Sequence, residues 1–425
     1  MKRALHGLLV LVSVTLGLVA WVAWLNVRAE LPVDEVMPPT ASAQLVAQGA
    51  YLAKAGNCMA CHTVQGGPPY AGGRGIETPF GVVYSSNLTP DEATGLGLWS
   101  PSHFWRAMHH GRSRDGRLLY PAFPYTEYTR VSRADSDALY AYLRSLPPVA
   151  QPNRAHDLGW PYRSQAALAV WRALYFKPLD WEAQPAQSAA WNRGAYLVQG
   201  LGHCAACHTP RDALGGLDAA RPLQGQMLPV QRWYAPSLTD PAEAGVMGWS
   251  AEEAVRLLRT GVNQHAVVTG PMAEVVFRST QHLSDQDLSA MVAYLQALPV
   301  QPAEPVAALP SVPVQIKRGA QLYGQHCAAC HGEQGEGVPG AYPALAGNRA
   351  VTMGQPANLI RMVLQGGYAP ATEGNARPHG MPPFRHQLAD DEVAAVVSYL
   401  RSAWGHQAGP VSTLDLVRDR GAESR

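Results

Sequence analysis

Six cysteines govern how this chain can fold, because they fall into three pairs with two residues inside each pair and a histidine directly after each: Cys58, Cys61 and His62; Cys204, Cys207 and His208; Cys327, Cys330 and His331. No cysteine is left over. Two thiols a helical turn apart can form thioether bonds to the two vinyl groups on one porphyrin edge, and the next side chain then reaches the iron. The pattern is the attachment signature of c-type haem, with the histidine as proximal ligand. A redox-active CxxC pair or a zinc site is the rival for one such motif, but zinc would pair the motifs and a redox pair lacks this loop setting. Three copies using every cysteine make three covalently bound haem c groups the economical reading.

The motifs sit in a larger repeat. "QGAYLAKAGNCMACHT" from Gln48, "RGAYLVQGLGHCAACHT" from Arg193 and "RGAQLYGQHCAACHG" from Arg318 open each unit. Segments beginning at Ala134, Ser284 and Ala389 close them, with apolar residues at helical spacing behind an acidic first turn. Gly- and Pro-rich stretches such as "GGPPYAGGRG" lie between and read as long loops wrapping the haem. In a chain of 425 residues this predicts domains at 47–148, 192–300 and 317–405. Residues 301–316, with four prolines, read as a semi-extended spacer. The connection 149–191 holds "SQAALAVWRALYF", an amphipathic helix expected to pack between units, with a membrane or partner surface as the alternative. The tail 406–425 reads as disordered, against a short partner-binding helix around "LDLVRDR".

With 33 basic against 32 acidic side chains, there is no broad positive field to hold a nucleic-acid backbone. Residues 1–30 form a signal or a membrane anchor: Lys2 and Arg3 precede an apolar run from Leu8 to Leu25, with Trp21 and Trp24 near its outer end. The run exceeds an ordinary signal-peptide core, which favours retention; cleavage after Ala29 is the competing reading. Either way the remainder lies outside the cytoplasm.

A low-spin electron-transfer haem takes a second axial ligand, and a methionine thioether supplies it while raising the potential. Met272 in "TGPMAEV" and Met381 in "PHGMPPF" lie roughly twenty residues ahead of Tyr294 and Tyr399 in their closing helices. In the first unit the same count lands on Phe123 in "YPAFPY", which cannot ligate iron. Replacement candidates are Met108, His109 and His110, in a run that reads as helical and whose histidines are expected to face solvent. Either another side chain serves haem 1 or its iron is five-coordinate.

Taken with "GGRGIETPFGVVYSSNLTPDEATGLGLWS", "WNRGAYLVQGLGHCAACHTPR" and "GAYPALAGNRAV", these motifs make residues 45–405 resemble the three-haem cytochrome c subunit of bacterial membrane-bound dehydrogenases, of the alcohol, gluconate, sorbitol and fructose type. The resemblance implies a mainly α fold: three tandem class I cytochrome c domains after an N-terminal apolar helix, each a few helices around one haem. Many members carry methionine in a "YPAMPY" stretch, so Phe123 departs from the pattern. The "YPAFPY" and "GPMAEVV" stretches also resemble cytochromes that accompany molybdenum-containing hydroxylases or aldehyde dehydrogenases. Implied partners are a catalytic dehydrogenase subunit, whether quinoprotein, flavoprotein or molybdenum enzyme, and ubiquinone or a terminal oxidase. The implied location is the periplasmic side of the cytoplasmic membrane.

No nucleotide-binding glycine fingerprint or nucleophile elbow is present, and no substrate-converting site is expected. Two other functions fit the motifs. An open haem 1 could act as a peroxidase-like enzyme, or the chain could be an independent electron shuttle.

Overall fold

The computed structural model describes residues 1–37, 41–302 and 312–420, the last three by backbone alone. Two compact units emerge, one of Met1–Ala53, Cys61–Glu182 and Arg211–Leu217, the other of Lys54–Ala60, Ala183–Pro210 and Asp218–Arg425. The second unit holds both the second and the third haem-attachment domains.

Each domain is built on the same helix pair. In the first, α1 (Lys2–Val27) and α2 (Ala43–Ala55) lead to the single turn α3 (Cys58–Cys61), then α4 (Pro101–His110), α5 (Tyr125–Tyr128) and the closing α6 (Arg133–Arg144). The loops between carry a small antiparallel sheet of β1 (Gly75–Thr78), β2 (Gly81–Tyr84) and β3 (Asp157–Leu158), in that order. After α7 (Gln165–Tyr175) the pattern recurs as α8 (Ala189–Gln199), α9 (Ala205–His208), α10 (Ala251–Thr260), α11 (Gly270–Arg278) and the closing α12 (Asp285–Gln296). Strands β4 (Gln226–Met227) and β5 (Tyr234–Ala235) pair within its long loop. The third domain has α13 (Pro313–His326), α14 (Ala328–His331), α15 (Arg349–Thr352), α16 (Ala357–Gln365) and the closing α17 (Asp390–Ser402), with β6 (Gly367–Tyr368) against β7 (Gly380–Met381).

One glycine per domain explains why opening and closing helices can cross so tightly. A Cβ on Gly49 would stand 1.9 Å from the Ala138 carbonyl oxygen, one on Gly194 1.9 Å from that of Ala290, and one on Gly319 2.1 Å from that of Ala395. Only a residue without Cβ permits that approach. Serine starts several of the helices. Ser132, Ser188, Ser250 and Ser284 accept from the third backbone N–H of α6, α8, α10 and α12, each cap contributing about 1 kcal/mol.

The expectation of a disordered tail is corrected. Residues Thr413–Arg420 form α18, with Leu416 and Val411 fully buried in the third-domain core beside Val393, Val397 and Leu400. Arg401 pins the approach by donating to the Gly409, Val351 and Met353 carbonyls at 2.7–3.0 Å. Most of the proline-rich spacer lies outside the described residues, and Pro313 within it opens α13.

In the first unit the C-terminal turn of α1 is fastened to α7 and to the loop after α4. Asn26 donates through Nδ2 to the Ala169 carbonyl and accepts through Oδ1 from Arg172 Nε, both at 2.9 Å. Arg112 donates to the Asn26 carbonyl at 2.8 Å and pairs with Glu30 at 2.9 Å. Ser100 Oγ donates to the Asp34 carbonyl at 2.6 Å, tying down the strand of chain that follows.

Candidate functional site

The CxxC turns fall in short helices, so each pair of thiols is presented from one turn, with the histidine at or just past its end. All six thiols are free of disulfides. Burial pushes the Cys204 thiol up to about 12 and that of Cys327 up to about 11. A redox-active pair needs the opposite shift, since the thiolate is its nucleophile. Among the described residues no group of three or more His, Cys, Asp or Glu side chains is placed to hold a metal ion.

The histidines are oriented alike. His62 Nδ1 lies 2.7 Å from the Ser86 carbonyl oxygen, His208 Nδ1 2.7 Å from that of Pro236, and His331 Nδ1 3.0 Å from that of Pro343. A carbonyl can only accept, so Nδ1 carries the proton and Nε2 keeps its lone pair for a metal. Burial also holds all three imidazoles below the usual histidine range, which keeps them neutral and ligating. Sequence reasoning missed these carbonyls. A signal existed: all three follow within two residues of a tyrosine, Tyr84, Tyr234 or Tyr342, in the aligned loops.

Met272 occupies the first turn of α11, where Gly270 has φ +56° and lies against the Trp233 indole: a Cβ there would be 2.7 Å from the ring. Met381 lies on β7, partly buried against the third-domain core. Phe123 sits in a turn before α5, its ring 5.4 Å from Tyr128 and 6.4 Å from Tyr125 between centroids. Met108, His109 and His110 are on α4, as the helical pattern predicted, but the histidines do not face solvent. They are 5% and 6% exposed, because α4 turns this face inward toward α5 and α6. His109 stacks on Trp105 at 4.3 Å and faces Asp180 at 3.6 Å; His110 meets His109 edge-on.

The cytochrome c family profile matches residues 46–147, 192–299 and 316–404. The chain belongs to the cytochrome c family. It is 38% identical over 407 residues to the cytochrome c subunit of the quinone alcohol dehydrogenase of Gluconacetobacter polyoxogenes, covering 90% of this chain and 86% of that one. It is 40% identical to the gluconate 2-dehydrogenase cytochrome c subunit of Pantoea cypripedii (86% of each). It is 34% identical to the fructose dehydrogenase cytochrome subunit of Gluconobacter japonicus (91% and 84%).

This cytochrome therefore carries three haem c groups, one per domain. The oriented imidazoles and the disulfide-free thiol pairs fit that group: Cys58, Cys61 and His62 would hold the first, Cys204, Cys207 and His208 the second, Cys327, Cys330 and His331 the third. Bound haem supplies reversible one-electron iron chemistry; the protein sets its spacing, its dryness and its potential.

Within the second unit the two cytochrome domains are locked through α16 and the loop that follows it in the third domain, against Trp233, β5 and the end of α10 in the second. Asn358 on α16 exchanges two hydrogen bonds with the Tyr234 backbone, at 2.8 and 2.7 Å, and the Arg361 guanidinium lies 5.1 Å from the Trp233 ring centre. Thr372 Oγ1 donates to the Thr260 carbonyl at 3.1 Å. Trp233 thus lies between the Met272 helix on one side and α16 of the third domain on the other.

Proposed function

We propose that this cytochrome is the electron-transfer subunit of a membrane-bound dehydrogenase, anchored by α1 on the periplasmic face. It takes electrons from a catalytic subunit, whether quinoprotein, flavoprotein or molybdenum enzyme, and passes them to ubiquinone or a terminal oxidase. The observation that carries this is the threefold repetition of one ligand geometry, each proximal imidazole held by a backbone carbonyl, in a chain that aligns over nine-tenths of its length with a dehydrogenase cytochrome subunit. Sites built alike serve one task, which is passing a single electron at a fixed position.

Met272 and Met381 are the sixth ligands of the second and third haems in this reading, and haem 1 has no methionine at the matching place. Retention of α1 is supported by its last turn. Removing residues up to Ala29 would take Asn26 from Arg172, a guanidinium only 3% exposed, and so cost a buried charge one of its hydrogen bonds.

The test is purification of the native protein from detergent-solubilised membranes. A catalytic subunit should co-purify, substrate for it should reduce all three haems, and the haems should reoxidise with a quinone or in the presence of oxidase-containing membranes. A chain that purifies alone and is reduced only by free small donors would overturn the reading.

A further inference from the structure

The helix α1 has a mean hydropathy of 2.4 over its most apolar window, and its apolar run from Leu8 to Leu25 spans about 27 Å at about 1.5 Å per residue, close to the bilayer core. Its outer end is therefore the turn of Trp21 to Asn26, where interface aromatics stand. That turn is the one α7 grips, through Ala169 and Arg172. With that run in the bilayer, these hydrogen bonds would place α7 at the level of the lipid headgroups.

What α7 shows outward suits that level. Leu168 and Arg172 point into the domain, while Val170 and Leu174, one turn apart on another face, are 49% and 61% exposed. Just ahead of the helix, Trp160 is 80% exposed. Exposed Arg163 and Lys177 flank the two ends, where phosphate groups would meet them.

We propose that α7 is an interfacial membrane element: its Val170 and Leu174 stripe rests in the acyl–headgroup boundary of the outer leaflet beside the exit of α1, and so holds the first domain against the bilayer. This rests on the retained anchor proposed above. The occupant is lipid rather than a protein partner because Val170 follows directly on Ala169, the residue of α7 that Asn26 holds at the turn where α1 would leave the membrane.

The experiment replaces Val170 or Leu174, and as control the exposed Ala134 on α6, with the photoreactive amino acid p-benzoylphenylalanine in the full-length holoprotein. The protein is reconstituted in vesicles of phosphatidylethanolamine and phosphatidylglycerol, irradiated, and its intact mass measured. Full haem content certifies each variant as folded. A chain retaining residues 1–29, with lipid adducts at 170 and 174 severalfold above those at 134, is the expected result. A retained N-terminus without lipid adducts at 170 and 174 overturns the α7 proposal alone. Adducts to a co-purified subunit in native membranes would overturn it in favour of a protein interface. A mature chain beginning after Ala29 overturns the anchor, and with it the depth argument.

Discussion

Gly194 of α8 lies directly beneath the Ala290 carbonyl of α12, with room for no side chain at all. The same relation holds for Gly49 with Ala138 and Gly319 with Ala395, so each haem pocket is closed by a helix crossing that depends on one hydrogen atom. Replacing any one of them by alanine forces the helices apart and should cost at least the upper part of the about 1–3 kcal/mol of ordinary overpacking. Because the domains repeat the motif, the damage should stay local: Gly194→Ala is expected to lower haem content from three per chain toward two. Haem-to-protein ratio and thermal unfolding read this directly, and an unchanged ratio with unchanged stability would show that the crossing tolerates a methyl group.

Met272→Leu and Met381→Leu should each remove one methionine-to-iron charge-transfer band, lower the potential of one haem and open that iron to carbon monoxide. Phe123→Met is the converse experiment. It should add a third such band and raise the potential of haem 1, whereas Phe123→Leu should leave the spectrum unchanged. Redox titration followed by absorption and resonance Raman separates these outcomes. A wild-type protein already showing three methionine bands would refute the assignment.

Much of this architecture is legible in the sequence because it is local. The closing helices announce themselves by apolar spacing behind Asp135, Asp285 and Asp390, and the haem motifs by covalent chemistry at fixed spacing. Features that depend on distant partners are not legible. The burial of His109 and His110 follows from how α4 packs, and no residue type within "FWRAMHHG" encodes it. The carbonyls that orient His62 and His208 lie 24 and 28 residues away in loops without regular structure, where a tyrosine two residues earlier marks the place but not the contact. The helix α18 is an intermediate case. Ser412 donates both its backbone N–H, at 3.0 Å, and its hydroxyl, at 2.7 Å, to Asp415 Oδ2 at the helix start, a pairing visible in "STLD". Its polar composition masked the single leucine, Leu416, that the core takes in.

The lock between the second and third cytochrome domains should be measurable as coupling. Asn358→Ala removes both hydrogen bonds to Tyr234, at a cost of about 1–3 kcal/mol if either backbone group stays dry. Arg361→Met keeps the stem but loses the charge over Trp233, worth up to about 2 kcal/mol where water is excluded. These partners share one small patch, so the double variant should be non-additive. Urea unfolding followed at each haem should change from one shared transition to two. Coincident transitions in the double variant would mean the domains are held elsewhere.

Glu243 should give the second unit a pH dependence of unusual sign. Its carboxyl is buried, and burial raises its pKa, outweighing the Ser237 N–H at 2.6 Å and the Tyr234 hydroxyl at 3.0 Å, which favour the anion. Asp240 nearby adds to the rise, while Arg349 lines the same cleft and faces Asp240. In the unfolded chain the group titrates in the ordinary glutamate range. Between that range and the raised folded value the native state therefore binds more protons than the unfolded state, and its stability falls as pH rises. Buried histidines such as His203, held below their usual range, act in the opposite direction over higher pH. The difference between wild type and Glu243→Gln isolates the term. The variant keeps an acceptor for Ser237 but cannot ionise, so its stability relative to wild type should grow with pH across the window and level off above it. Melting temperatures of both proteins from pH 4 upward check this, and parallel curves would show that Glu243 ionises in the folded protein at no cost.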